Sequence, residues 1–483
     1  MPPMKSDTET SPNSARLLRR RRFLRAAALT GGTLALRPAL SASGLGLTAP
    51  QAPPIFRIRQ RAKRIIYINL VGGASHIDLF DPKPFLARHH GEPCPDELFK
   101  GKRFAFIKQQ PTLMGSPWFF QPSGQSGIEI SSLLPELRKI VDKITLIRSM
   151  TTDEFNHAPA QLLLQTGSGR SGRPSLASWI DFALESENPD LPHAAVIVRG
   201  NYPGAGNALW GNGFLPGTYQ GTELRSSGSP VLFLSDPPGV SRASRRGVVN
   251  AVLALNRLQF ETAGDPEIET RSRQYDLAYR MQESIPEATD LSLESPETLA
   301  LYGADLETSN FGNDCLQARR LIERGMRFVE LVNSGWDHHE QIAAELPKKC
   351  REIDRAAAAL VQDLAARGLL SETLIVCATE FGRTPMAQTM GGTGLQYVVA
   401  GRDHQPHAFS IWVAGGGFKE GFAYGTTDEF GASVVSNPVH IHDLNATLLH
   451  CLGVDHEQLT YFFQGRNYRL TDVGGHVVEA LLA

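Results

Sequence analysis

The sequence predicts a doubly wound α/β fold, with a mostly parallel sheet and helices on both faces. Short, almost continuously apolar runs recur between residues 64 and 417, and helical patterns fill the intervals. The runs lack the in–out alternation of a half-exposed strand, as expected of parallel strands covered by helices on both sides. A chain of 483 residues, 41% of them hydrophobic, is also long enough to bury a large core.

The first run is RIIYINLVGG, from Arg64 to Gly73. ITLIRSM from Ile144, AAVIVRG from Ala194, MRFVELVN from Met326, TLIVCAT from Thr373 and FSIWVAGGG from Phe409 follow it. Among the helical patterns, Cys350 to Gly368 ends on a glycine suited to a left-handed C-cap. Residues 200–240, rich in Gly, Pro and Ser, read as surface excursions, and 245–325 read as mostly helical. Asp443 reads as the N-cap of a helix from Leu444 to Leu452 that Gly453 closes. Together these place one domain over 61–480, behind a Gly/Pro/Gln-rich linker at 44–60.

The formal charge of −2 hides a split. Residues 1–50 hold eight Lys/Arg against Asp7 and Glu9, a net of +6, so the remainder carries −2 − 6 = −8. Nothing in that remainder is basic enough to suggest nucleic acid. Within residues 1–43, RRRRFLRAAALTGGTLAL resembles a twin-arginine export signal, with Arg20 and Arg21 as the pair and small residues at Ala39, Ser41, Ala42 and Ser43. Its apolar part, Ala26 to Leu36, is too short to span a bilayer, and no later run reaches about 18 apolar residues. The expectation is a protein exported to the periplasm or cell envelope, without a transmembrane segment beyond the signal. Five widely spaced cysteines form neither a disulfide framework nor a zinc ribbon.

In open α/β sheets, ligands gather at the carboxyl ends of the strands. Beyond the first run lie His76, Asp78 and Asp81; beyond the second, Asn156 and His157 at a helix start. Beyond the fourth come Asp337, His338 and His339, and beyond the fifth Glu380 and Arg383. A lone His or Asp in a loop is ordinarily solvated, but four strand exits delivering such residues to one edge point to a shared site. Carboxylates with imidazoles suit a divalent metal: zinc, manganese or calcium. His440 and His442, two apart in an extended segment, project to one side and can join it together. Asp403, His404 and His407 precede the last run, at the wrong end of the sheet unless that strand is antiparallel or the loop folds over.

The motifs HAPAQLLLQTG, VHIHDLNATLLHCLGV and TLIVCATEFG resemble segments of the alkaline phosphatase/sulfatase superfamily. More closely, GGASHIDLFDPKP, NHAPA, WDHHEQ, EFGRTPM, GRDHQPHAF and TYFFQGRNYRLTDV resemble the exported family known as domain of unknown function 1501. The resemblance spans roughly residues 60–480 and implies an alkaline-phosphatase-like core with a metal site on the sheet edge. Carried over by position, it implies Asp78, Asp337, His339 and Glu380 as metal ligands, with His404, His440 and His442 as further candidates. It favours His339 over His338. The chain departs from the sulfatase pattern at His157-Ala158-Pro159-Ala160-Gln161, which lacks both the nucleophile and the arginine of C/S-x-P-x-R.

Without the sulfatase nucleophile, ester hydrolysis can proceed through water activated by a divalent metal, which lowers its pKa from about 15.7 to about 7. His157 then positions the water, with Asn156 beside it, and Arg383 binds the ester's anionic oxygens. The expected activity is metal-dependent hydrolysis of phosphate or sulfate esters, on a small molecule or a polysaccharide. The alternative is a non-catalytic, metal-stabilised envelope protein that binds a polymer or a protein partner.

Overall fold

Among the described residues, nine strands make the central sheet of the protein, seen here in a computed structural model. The structure describes residues 58–483 apart from 108, 185, 227, 229, 232–235, 237, 238 and 389–398. The expected export signal at 1–43, and the linker up to residue 57, lie outside the described residues.

The strands are β1 (Arg64–Val71), β2 (Ile144–Thr151), β3 (Ala194–Arg199), β4 (Thr222–Leu224), β5 (Phe328–Ser334), β6 (Thr373–Ala378), β7 (Phe409–Ala414), β8 (Phe422–Tyr424) and β9 (Val439–His440). Their order across the sheet is β8-β2-β7-β6-β1-β5-β3-β4, with β9 also pairing to β2. All six apolar runs of the sequence are strands. Every pairing is parallel except those of β7, which runs antiparallel to both β6 and β2. That reversal brings the start of β7 to the edge where its neighbours end.

The principal helices are α1 (His157–Thr166), α2 (Leu176–Ala183), α3 (Arg242–Ala263), α4 (Pro266–Thr289), α5 (Phe311–Glu323), α6 (Ile342–Ala366) and α7 (Ile441–Cys451). They cover both faces because β1 is apolar on both. Ile66, Ile68 and Leu70 pack in one cluster with Leu316 of α5 and Leu360 of α6. Ile65 and Tyr67, pointing the other way, join Trp179 of α2 and Leu448 of α7. Each such Ile or Leu, wholly removed from water, stabilises the fold by about 1.5–3 kcal/mol. The fold class is therefore doubly wound α/β. Among the described residues no helix is long and apolar enough to cross a membrane, and all five cysteines are buried and unpaired.

The last helix begins earlier than its sequence suggests. His440, not Asp443, is the N-cap, and Asp443 occupies the third helical position of a capping box. Its Oδ2 accepts the His440 N–H at 2.9 Å, while His440 Nδ1 accepts the His442 N–H at 3.2 Å. An acidic side chain that reaches back one turn moves the helix start three residues upstream. His442 thus lies in the first helical turn rather than in an extended segment.

Candidate metal centre

Three imidazoles and one carboxylate meet at the carboxyl edge of the sheet. Asp337 and His339 leave the end of β5, His157 opens α1 beyond β2, and His404 precedes the antiparallel β7. One donor atom from each of these four lies within 4.8 Å of the others. Asp337 Oδ1 is the hub: His339 Nε2 is 2.8 Å away, His157 Nε2 3.2 Å and His404 Nε2 3.6 Å. The approach is close because Gly72, at the end of β1, has φ +124° and no side chain. A Cβ there would stand 2.5 Å from the Asp337 nitrogen.

Each imidazole is held from behind by its other nitrogen. His157 Nδ1 faces Glu380 Oε1 at 2.7 Å, His339 Nδ1 faces Gln388 Oε1 at 2.7 Å, and His404 Nδ1 faces the Phe155 carbonyl at 2.7 Å. All three partners are acceptors, so each Nδ1 carries a proton and each Nε2, when deprotonated, turns its lone pair inward. Metal-binding histidines are oriented in this way. His339 Nε2 and His404 Nε2 lie only 2.9 Å apart, and two facing lone pairs need a proton or a cation between them. His157 Nε2 is buried without a hydrogen-bond partner, since its approach to Asp337 lacks hydrogen-bond geometry. These nitrogens fit a divalent cation.

The electrostatics agree. Burial opposes the charge on Asp337, but the three imidazoles and the Arg383 guanidinium outweigh it and hold the carboxyl far below its usual range. Burial lowers the pKa of His157, yet the Asp337 and Glu380 carboxylates prevail and raise it to about 9. Burial lowers that of His404, an effect that Arg383 and the neighbouring imidazoles reinforce and Asp337 only partly offsets. The centre calls for positive charge, which a proton or a metal can supply.

Other residues singled out in the sequence lie elsewhere. Asp78 is wholly buried and accepts Arg402 Nε at 2.7 Å and Arg402 Nη2 at 3.0 Å, so its oxygens are committed to a guanidinium. Glu380 stands behind His157, anchored by the Gly72 N–H at 2.9 Å and Gln161 Nε2 at 3.2 Å. It orients His157 rather than joining the converging atoms. His440 Nε2 faces Asp153 Oδ2 at 3.3 Å and His442 Nε2 faces the Gly167 carbonyl at 3.1 Å, both outside the cluster. The early start of α7 accounts for both.

Arg383 does not face a substrate. It is wholly buried, donating Nε to the Gly73 carbonyl at 2.8 Å and Nη1 to that of Arg402 at 3.0 Å. Nη2 serves the Gly72 carbonyl and, at 2.5 Å, Asp337 Oδ1. It is a positioning residue for Asp337. Asn156, exposed at the N-cap of α1, makes no side-chain capping bond. Sequence reasoning passed over Gln161 and Gln388, although Gln161 lies one helical turn beyond His157, a spacing that places both on one face.

Residues 62–482 match a family described as "Protein of unknown function (DUF1501)". The chain belongs to the DUF1501 family. No curated relative matches this DUF1501 sequence. Its fold is similar to that of the lipoteichoic acid synthase LtaP from Listeria monocytogenes, at 9% identity over 87% of this chain and 77% of that one, with a TM-score of 0.37. The PsFucS1 sulfatase from Pseudoalteromonas sp. is similar at 14% identity over 88% and 72%, with a TM-score of 0.34. Alkaline phosphatase from the Antarctic bacterium TAB5 shares 10% identity over 76% and 94%, with a TM-score of 0.30. Likeness at that level carries no argument about chemistry; the donor set does.

Proposed function

We propose that this DUF1501 protein is an exported, metal-dependent hydrolase of phosphate or sulfate esters, acting in the periplasm or cell envelope. The observation that carries the reading is the convergence of Asp337 with three imidazoles, each already held by its outer nitrogen. His157, Asp337, His339 and His404 would hold a divalent cation, which supplies Lewis acidity and lowers the pKa of water. Support for an ester substrate comes from the sequence resemblance to the alkaline phosphatase/sulfatase superfamily, and support for export from the basic N-terminal motif.

The chain's own groups have distinct parts. Glu380 keeps a proton on His157 Nδ1 and so keeps Nε2 turned inward. Arg383 holds Asp337 in place and offsets its charge. The ten-residue α1 begins at His157, so its positive end lies at the site, and Asn156 at its N-cap, whose side chain makes no capping bond, would donate to an anionic ester oxygen. The Asp337 side chain is 43% exposed, so the centre opens to solvent on that side.

A second reading has its own support. Four protein donors fill a tetrahedral zinc site and leave no open position, as in structural sites. On that reading the metal only stabilises an envelope protein that binds a polymer or a protein. Turnover of a panel of phosphate and sulfate esters by zinc- or manganese-loaded protein separates the two. Hydrolysis that disappears in His157→Ala and Asp337→Ala is expected. A folded, loaded protein inert toward the whole panel favours the structural metal.

A further inference from the structure

An exposed aromatic ring borders the centre. Phe106 is 53% exposed, yet its ring centroid lies 4.5 Å from that of His339 and 6.0 Å from that of His404. A lone exposed Phe is ordinary on a protein surface. This one is pinned. The wholly buried Asp403 accepts the N–H groups of Phe106 at 2.8 Å and Ile107 at 2.9 Å on one oxygen. Its other oxygen accepts the His404 N–H at 2.8 Å. A buried carboxylate is costly unless its hydrogen bonds are made, so one well-satisfied group fixes both the backbone of His404 and the ring beside it.

The same loop carries a cation. The Arg103 guanidinium lies 4.8 Å from the ring centroid of Phe155, whose carbonyl holds His404 Nδ1. Arg103 is exposed, and no carboxylate pairs with it among the described residues. An apolar face and a cation stacked on Phe155, without a carboxylate partner among the described residues, thus stand three residues apart in the loop that borders the centre.

From this juxtaposition we infer that the substrate is a ring-bearing ester with a second anionic group, its ring lying on Phe106 and the second charge meeting Arg103. The inference rests on the ester reading above and adds a substrate class to it. Aromatic contacts of this kind are worth about tenfold in affinity. A simple alkyl ester would gain neither contact.

Calorimetric titration of zinc- or manganese-loaded protein with non-hydrolysable phosphonates tests it. Wild type should bind phenylphosphonate or a glucose C-phosphonate about tenfold more tightly than methylphosphonate, and the stronger of the two identifies the ring as aryl or sugar. Phe106→Ala should abolish that preference while leaving metal content and methylphosphonate affinity unchanged. A 4-carboxyl group on phenylphosphonate should tighten binding further in wild type but not in Arg103→Gln. Binding without ring preference, or a preference that survives in Phe106→Ala, overturns the inference alone. Failure to bind any phosphonate overturns it together with the ester reading, whereas ring preference without turnover supports it and counts only against hydrolysis.

Discussion

Glu330 lies on β5, wholly buried under α1, and replacing it with glutamine should stabilise the protein increasingly as the pH rises from about 4.5 to about 7. Its Oε1 accepts Asn69 Nδ2 at 2.9 Å and Gln165 Nε2 at 3.0 Å, while Oε2 has no hydrogen-bond partner. Burial raises its pKa from the ordinary 4.5 to about 7, against a smaller opposing effect of the Asn69 amide. Between those values the native state binds more protons than the unfolded state, so stability falls as pH rises. Below pH 4.5 both states are protonated and no penalty exists; above pH 7 it is complete. The interval 7 − 4.5, at about 1.36 kcal/mol per pH unit, gives about 3 kcal/mol. Glutamine copies the neutral acid. Urea unfolding should therefore find Glu330→Gln equal to wild type near pH 4.5 and about 3 kcal/mol more stable at pH 8. Differences from other titrating groups cancel between the two proteins. A gap that does not change with pH, or a less stable variant at pH 8, would refute the reasoning.

Two further outcomes follow from the centre. Arg383→Met removes the buried donor to three backbone carbonyls and Asp337, and should cost about 3–5 kcal/mol in urea unfolding, whereas a loss below about 1 kcal/mol would contradict its positioning role. Cation binding must displace the proton that His157 holds up to about pH 9, so affinity should rise by up to about tenfold per pH unit from pH 6 to 8. Calorimetry in buffers of different ionisation enthalpy would show the released proton, and a flat affinity over that range would place His157 outside the ligand set.

Much of this arrangement could be read from strand exits. The runs ending at Met150 and Asn333 are strands, and the residues just past them, His157, Asp337 and His339, meet as the topology of a parallel sheet requires. His404 was legible only conditionally, because an apolar run does not encode strand direction; the antiparallel pairing of Trp412 with Cys377 and Leu146 supplies it. Asp78 shows the limit of local reading. Its partner Arg402 is 324 residues away, and no spacing rule connects a carboxylate to a guanidinium at that distance. For His440 and His442, the two-residue period assumed extended backbone, and the capping box of Asp443 put His442 in a helix instead. Gln388 and Phe106 carry no exit signal; only the fold places them against the imidazoles.

Elemental analysis of the folded protein, with Asp337→Ala and His339→Ala prepared alongside, tests the centre most directly. One equivalent of divalent metal in wild type, absent from both folded variants, is the predicted result. Wild type that stays metal-free after incubation with zinc and manganese, or variants that keep the full equivalent, would contradict it.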